Sequence, residues 1–86
     1  MTYLAVSTNT GDPGGLVPAE GARMAELVSS GAVEHVWLKA DWSGAVLVLS
    51  ATDEDEARAV VDSLPLAQAG LTAFALTPVV APPTGP

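Results

Sequence analysis

Apolar residues along this chain change spacing several times, and each change marks an element. YLAVST (3–8) is rich in β-formers and is stopped by the turn-forming NTGDPGG (9–15), which predicts a strand and then a loop. Pro18 suits a first helical position, Met24, Leu27 and Val28 follow at i, i+3, i+4, and Gly31 stands where a C-terminal cap belongs. That spacing predicts a helix, although Gly21 inside it costs about 1 kcal/mol of propensity against alanine. VEHVWLKA (33–40) and AVLVLSA (45–51), parted by DWSG, predict an antiparallel hairpin. TDEDEARAVVDSL (52–64) opens with Thr52 or Asp53 as N-cap and with acids that suit the positive end of a helix. Its Ala57, Val60, Val61 and Leu64 share one face, so it predicts a second helix. After LPLAQAG, LTAFALTPVV predicts a last strand and APPTGP an extended tail.

The order is β-α-β-β-α-β, the split pattern of an α+β, ferredoxin-like fold with an antiparallel four-stranded sheet and both helices on one face. Residues 1–78 form a single domain and 79–86 a Pro-rich tail. A sheet with one wet face alternates apolar and polar residues, but AVLVL and LTAFAL put apolar side chains on both faces. A second copy of the chain is the simplest cover for the open face. The expectation is therefore a homodimer or higher oligomer, a dimeric α/β barrel, with room between the sheets for a small ligand.

Composition narrows the chemistry. The 86 residues contain no cysteine and one histidine, which removes disulfides and thiolate sites and argues against a metal site; no metal and no cofactor are expected. Hydrophobic residues make up 49% and charged ones only 15%, apolar for a small chain, which again favours association. A formal charge of −7 opposes binding to nucleic acid or anionic membranes. No secretory signal is seen, and AVLVL falls far short of the roughly 20 apolar residues of a spanning helix, so a cytoplasmic protein is expected. The Gly-rich loop lacks the Lys-Ser/Thr of a P-loop and reads as a connection. The acids at 53–56 lack calcium-loop spacing and read as capping.

The chain's single histidine (His35), single lysine (Lys39) and both tryptophans (Trp37, Trp42) fall within EHVWLKADW (34–42). Strand alternation puts Val33, His35, Trp37 and Lys39 on one face and Glu34, Val36, Leu38 and Ala40 on the other. With Val36, Leu38 and Ala40 packed on helices, His35, Trp37 and Lys39 line the open face. A base, a flat apolar wall and a cation then suit an anionic or carbonyl-bearing, partly unsaturated small molecule. The plainer reading has His35 merely hydrogen-bonded, Trp37 filling an interface and Lys39 snorkelling to solvent. Trp42 covers a sheet edge or interface. Tyr3 and Ser7 offer hydroxyls to a ligand from the first strand, Tyr3 equally serving as packing, and Asn9 offers an amide from the strand end or holds the turn.

SGAVEHVW, the hairpin after it, the acid-opened helix, SLPL and the closing LTPVVAPP resemble muconolactone isomerase and its relatives. The resemblance spans roughly residues 3–82, and its specific part is His35, Trp37 and Leu64-Pro65-Leu66. It implies dimers or rings of dimers and a cofactor-free proton shift across an unsaturated lactone bearing a carboxylate. Such a shift needs a proton carrier and a cation to steady an enolate, roles that fall to His35 and Lys39 as catalytic candidates, with Trp37, Tyr3, Ser7 and Asn9 binding substrate. The chain departs from the family at Leu38, where an arginine is common, at AQAG (67–70), where aromatic residues follow, and at Ala81-Pro82, where His-Pro is usual. Those losses argue for a bulkier or less polar substrate, lactone or polyketide-like, for an isomerase or cyclase. Two alternatives stand beside it. One is a cofactor-independent monooxygenase of the same barrel, in which an Asn and a Trp flank a phenolic substrate. The other is a non-catalytic dimeric module that binds a metabolite or stabilises a partner.

Overall fold

The computed structural model describes residues 1–81. β1 (Thr2–Asn9) leads through a 3-10 turn (Gly14–Leu16) into α1 (Val17–Ser30). The hairpin β2 (Val33–Leu38) and β3 (Ala45–Ser50) follows, then α2 (Glu54–Asp62), a single turn α3 (Pro65–Gln68), and β4 (Thr72–Val79). The sheet runs β2-β3-β1-β4 with every neighbouring pair antiparallel. This is the ferredoxin-like arrangement.

Local chemistry sets the ends of the elements. Gly31 takes a φ of 84° and donates its N–H to Val28 O, closing α1 in the left-handed conformation that glycine tolerates best. Asp53 is the N-cap of α2 and accepts from Glu56 N–H at 2.8 Å, while the Glu56 carboxylate reaches back to the hydroxyl and N–H of Thr52. LPLAQAG, the segment before the last strand, contains α3, because Pro65 starts a turn that Gly70, at φ 72°, ends.

Tyr3, Ala5, Leu47 and Leu49 pack against Leu27, Ala57, Val61 and Leu64, so the helices share one sheet face. Tyr3 pairs with Leu49 and Ala5 with Leu47, the same-face pairs of an antiparallel ladder. Leu4 with Val48 and Val6 with Val46 occupy the opposite face, where each is half-buried. His35 registers with Val48 and Trp37 with Val46 on this face.

Two expectations about β2 need correction. A bulge at Glu34 breaks the alternation, so Val33 pairs with Leu49 and is buried in the helix-side core rather than sharing a face with His35. Val36 and Leu38 do face the helices, opposite Leu47 and Ala45, yet they remain 36% and 60% exposed. Ala40 lies beyond β2, exposed in the turn. At the other end β4 runs to Val79, one residue past the boundary expected at 78, with Pro78 on a strand that has an unpaired edge. The last part of the expected tail, 82–86, lies outside the described residues.

Candidate functional site

A cavity of about 540 Å³ opens between α1 and the helix-side face of the sheet. α1 supplies Val17, Glu20, Gly21 and Met24, the strands supply Ser7, Val36, Leu38, Ala45 and Phe74, and α3 supplies Leu66. Pro13 and the hairpin residues Trp42 and Gly44 border it, with Asn9 and Thr72 at paired strand ends. Val36 and Leu38, exposed on the helix side of β2, form part of its wall. Gly21 leaves room on the α1 side, where an added Cβ would meet nothing within 4 Å.

The walls are apolar, with few polar groups, the usual composition of a small-molecule pocket. Ser7 is buried, and its Oγ accepts from Ala45 N–H at 2.8 Å. Thr72 is buried, and its hydroxyl donates to Thr8 O at 3.3 Å. Asn9 Nδ2 donates to Trp42 O at 3.3 Å. Glu20 is half-buried, with Oε1 accepting from Leu66 N–H at 3.0 Å.

The hairpin turn is held against the end of β1. Asn9 N–H donates to Ser43 O at 2.7 Å and Lys39 N–H to Gly44 O at 2.9 Å. Asp41 Oδ1 accepts from both the hydroxyl and the N–H of Ser43, at 2.6 and 3.0 Å. Those hydrogen bonds, with Lys39 nearby, hold its carboxyl below the usual carboxylate range. Trp42 adopts φ 63°, uncommon for a non-glycine residue, and its side chain stays 75% exposed at the cavity.

The six residues singled out from the sequence divide between two faces. Ser7 and Asn9 line the cavity. His35 and Trp37 stand on the opposite face, ring centroids 5.3 Å apart and stacked at 17°. Lys39 is half-buried just beyond β2, with no place in the cavity wall. Tyr3 belongs to the core at 4% exposure, and burial, with Glu54 and Asp53 nearby, pushes its hydroxyl pKa up. This cavity lies on the helix side of the sheet, whereas His35 and Trp37 stand on the open face, the side expected to meet a second copy of the chain.

Glu20, Thr72 and Phe74 stand in no motif of the sequence, and Met24 and Leu66, expected as a packing stripe and a family motif, also line the cavity. The usable signal was Val17, Glu20, Gly21 and Met24, an apolar helical stripe interrupted by a carboxylate and a glycine. Among the described residues no group of three or more His, Cys, Asp or Glu is placed to hold a metal ion, and no helix is long and apolar enough to cross a membrane.

No protein-family model matches the chain, and no curated protein does. Among solved structures it is similar to 5-chloro-2-hydroxyhydroquinone dehydrochlorinase (TftG) from Burkholderia phenoliruptrix AC1100, in complex with 2,5-dihydroxybenzoquinone. The TM-score is 0.67 at 23% identity, over 93% of this chain and 94% of that one. What the two chains share is the fold, a ferredoxin-like α+β architecture over nearly their whole lengths.

Proposed function

We propose that this protein is a small-molecule enzyme, an isomerase or cyclase that moves a proton on an unsaturated carbonyl compound bound between α1 and the sheet. The cavity carries the reading: about 540 Å³ of apolar space with a few convergent polar groups. Its size and apolar walls favour a flat, ring-containing substrate that is less polar than a muconolactone. The muconolactone-isomerase-like motifs and the dehydrochlorinase of like fold, itself bound to a dihydroxyquinone, support that substrate class. In this reading the open face, with Leu4, Val6, Trp37, Val46 and Val48, is covered by a second copy of the chain. His35 and Trp37 then belong to the dimer interface.

The test is an amide NMR titration with α-angelica lactone, a β,γ-unsaturated lactone, while sedimentation reports the oligomer. Shifts should centre on Ser7, Gly44 and Thr72 and vanish in Gly21→Leu, whose side chain fills the cavity. Shifts centred on His35, Trp37 and Val48 would move the site to the open face and restore His35 and Lys39 as its chemical groups. Trp37→Glu should convert the dimer to monomer.

A second reading has its own observation. Asn9 and a tryptophan, Trp42 rather than Trp37, both border the cavity, joined through the Asn9 amide and Trp42 O. A cofactor-independent monooxygenase would use such a pair around a phenol, and oxygen uptake with a hydroxylated aromatic would identify it.

A further inference from the structure

We infer that Glu20 is the proton carrier of this cavity, a role that rests on the proposed proton-transfer function. Among the described residues it is the one ionisable side chain in the cavity wall. Its position is built: Oε1 accepts Leu66 N–H at 3.0 Å across the α1–α3 contact, 46 residues away in sequence. A carboxylate offers about four lone-pair sites on two oxygens, so that bond orients the group and leaves the second oxygen able to accept a proton. Val17, Met24 and Leu66 share the wall with it and are apolar, so no second ionisable group competes for the proton there.

Other polar groups of the wall complement this one. Asn9 donates one amide hydrogen to Trp42 O, leaving a second to donate to a developing enolate oxygen. In the reaction, the Glu20 carboxylate takes a proton from the carbon between the carbonyl and the double bond. The C–H electron pair enters the conjugated enolate, with the charge on oxygen. The resulting carboxylic acid returns the proton to the γ carbon, the double bond moves into conjugation with the carbonyl, and Glu20 is again a carboxylate. No atom is gained or lost, and nothing is oxidised.

A purely structural Glu20 would only cap α3. Glu20→Gln separates the roles, because its carbonyl oxygen still accepts Leu66 N–H but cannot carry the proton. In D₂O with α-angelica lactone, the wild type should catalyse deuterium exchange at the α carbon and form the conjugated isomer. Glu20→Gln should slow both by at least about 100-fold, the lower end of general-base effects, while keeping the lactone-induced shifts at Ser7 and Thr72. Glu26→Gln removes an exposed charge from the same helix and should match the wild type. Acetate should partly restore Glu20→Ala, which also covers the case of a poorly folded Gln variant.

Turnover by Glu20→Gln within about threefold of the wild type, or no acetate rescue of a folded Glu20→Ala, overturns the assignment. So does exchange abolished by His35→Gln but not by Glu20→Gln. A wild type that binds the lactone without exchange defeats Glu20 alone. One that shows no lactone-induced shifts defeats the cavity reading, and Glu20 with it.

Discussion

Gly44 is where a single methyl group should do most damage outside the core. An added Cβ would lie 2.0 Å from Ser7 O and 2.7 Å from Ser7 C, backbone atoms of β1 that cannot rotate aside. Its φ is not positive, so space and not backbone conformation demands glycine here. Relieving the contact requires the hairpin to move off β1 by at least roughly 1 Å. Two hydrogen bonds span that gap, Asn9 N–H to Ser43 O at 2.7 Å and Ala45 N–H to Ser7 Oγ at 2.8 Å. Either would open to roughly 3.7 Å, beyond a hydrogen bond. Losing both, with buried groups left unpaired, makes Gly44→Ala cost about 2–4 kcal/mol. Urea unfolding followed by circular dichroism at fixed protein concentration measures the loss, and amide exchange at Asn9 and Ala45 locates it. Gly15→Ala, with nothing within 4 Å of its Cβ, is the control and should stay within about 0.5 kcal/mol. A Gly44→Ala loss below about 1 kcal/mol, with both amides still protected, would refute the reasoning.

Three further outcomes are expected. Asp53→Ala removes the N-cap of α2 and should lower stability by about 1 kcal/mol, read from the urea midpoint. Tyr3 titrates above its ordinary value in the folded chain, so its stabilising share is intact below about pH 10 and is lost as pH rises through the folded value. Tyr3→Phe should accordingly flatten the alkaline limb of a stability–pH curve. Asp41 has the opposite sign: its share is present above about pH 4 and is lost as pH falls through its lowered value, so Asp41→Asn should weaken the acid limb.

The α+β class, the order of the four strands along the chain and the two long helices were legible because each rests on short-range physics. Pro18 and Gly31 bracket α1, Asp53 and Glu56 start α2, and β-branched runs form the strands. The faces of β2 were less legible. Alternation put His35 and Trp37 on the open face, but the bulge at Glu34 sent Val33 into the core. A bulge depends on how β2 must register with β3, which a strand's own sequence states only weakly.

The candidate site was hardest to read. Its wall joins residues as distant as Ser7, Glu20, Leu66 and Thr72, and the hydrogen bond from Leu66 to Glu20 exists only once α1 and α3 are packed. The chain by itself determines which segments become helix or strand, through spacings of a few residues and local caps. Only tertiary packing decides that α1, α3 and the strand ends enclose a cavity, because that space depends on long-range contacts and side-chain volumes.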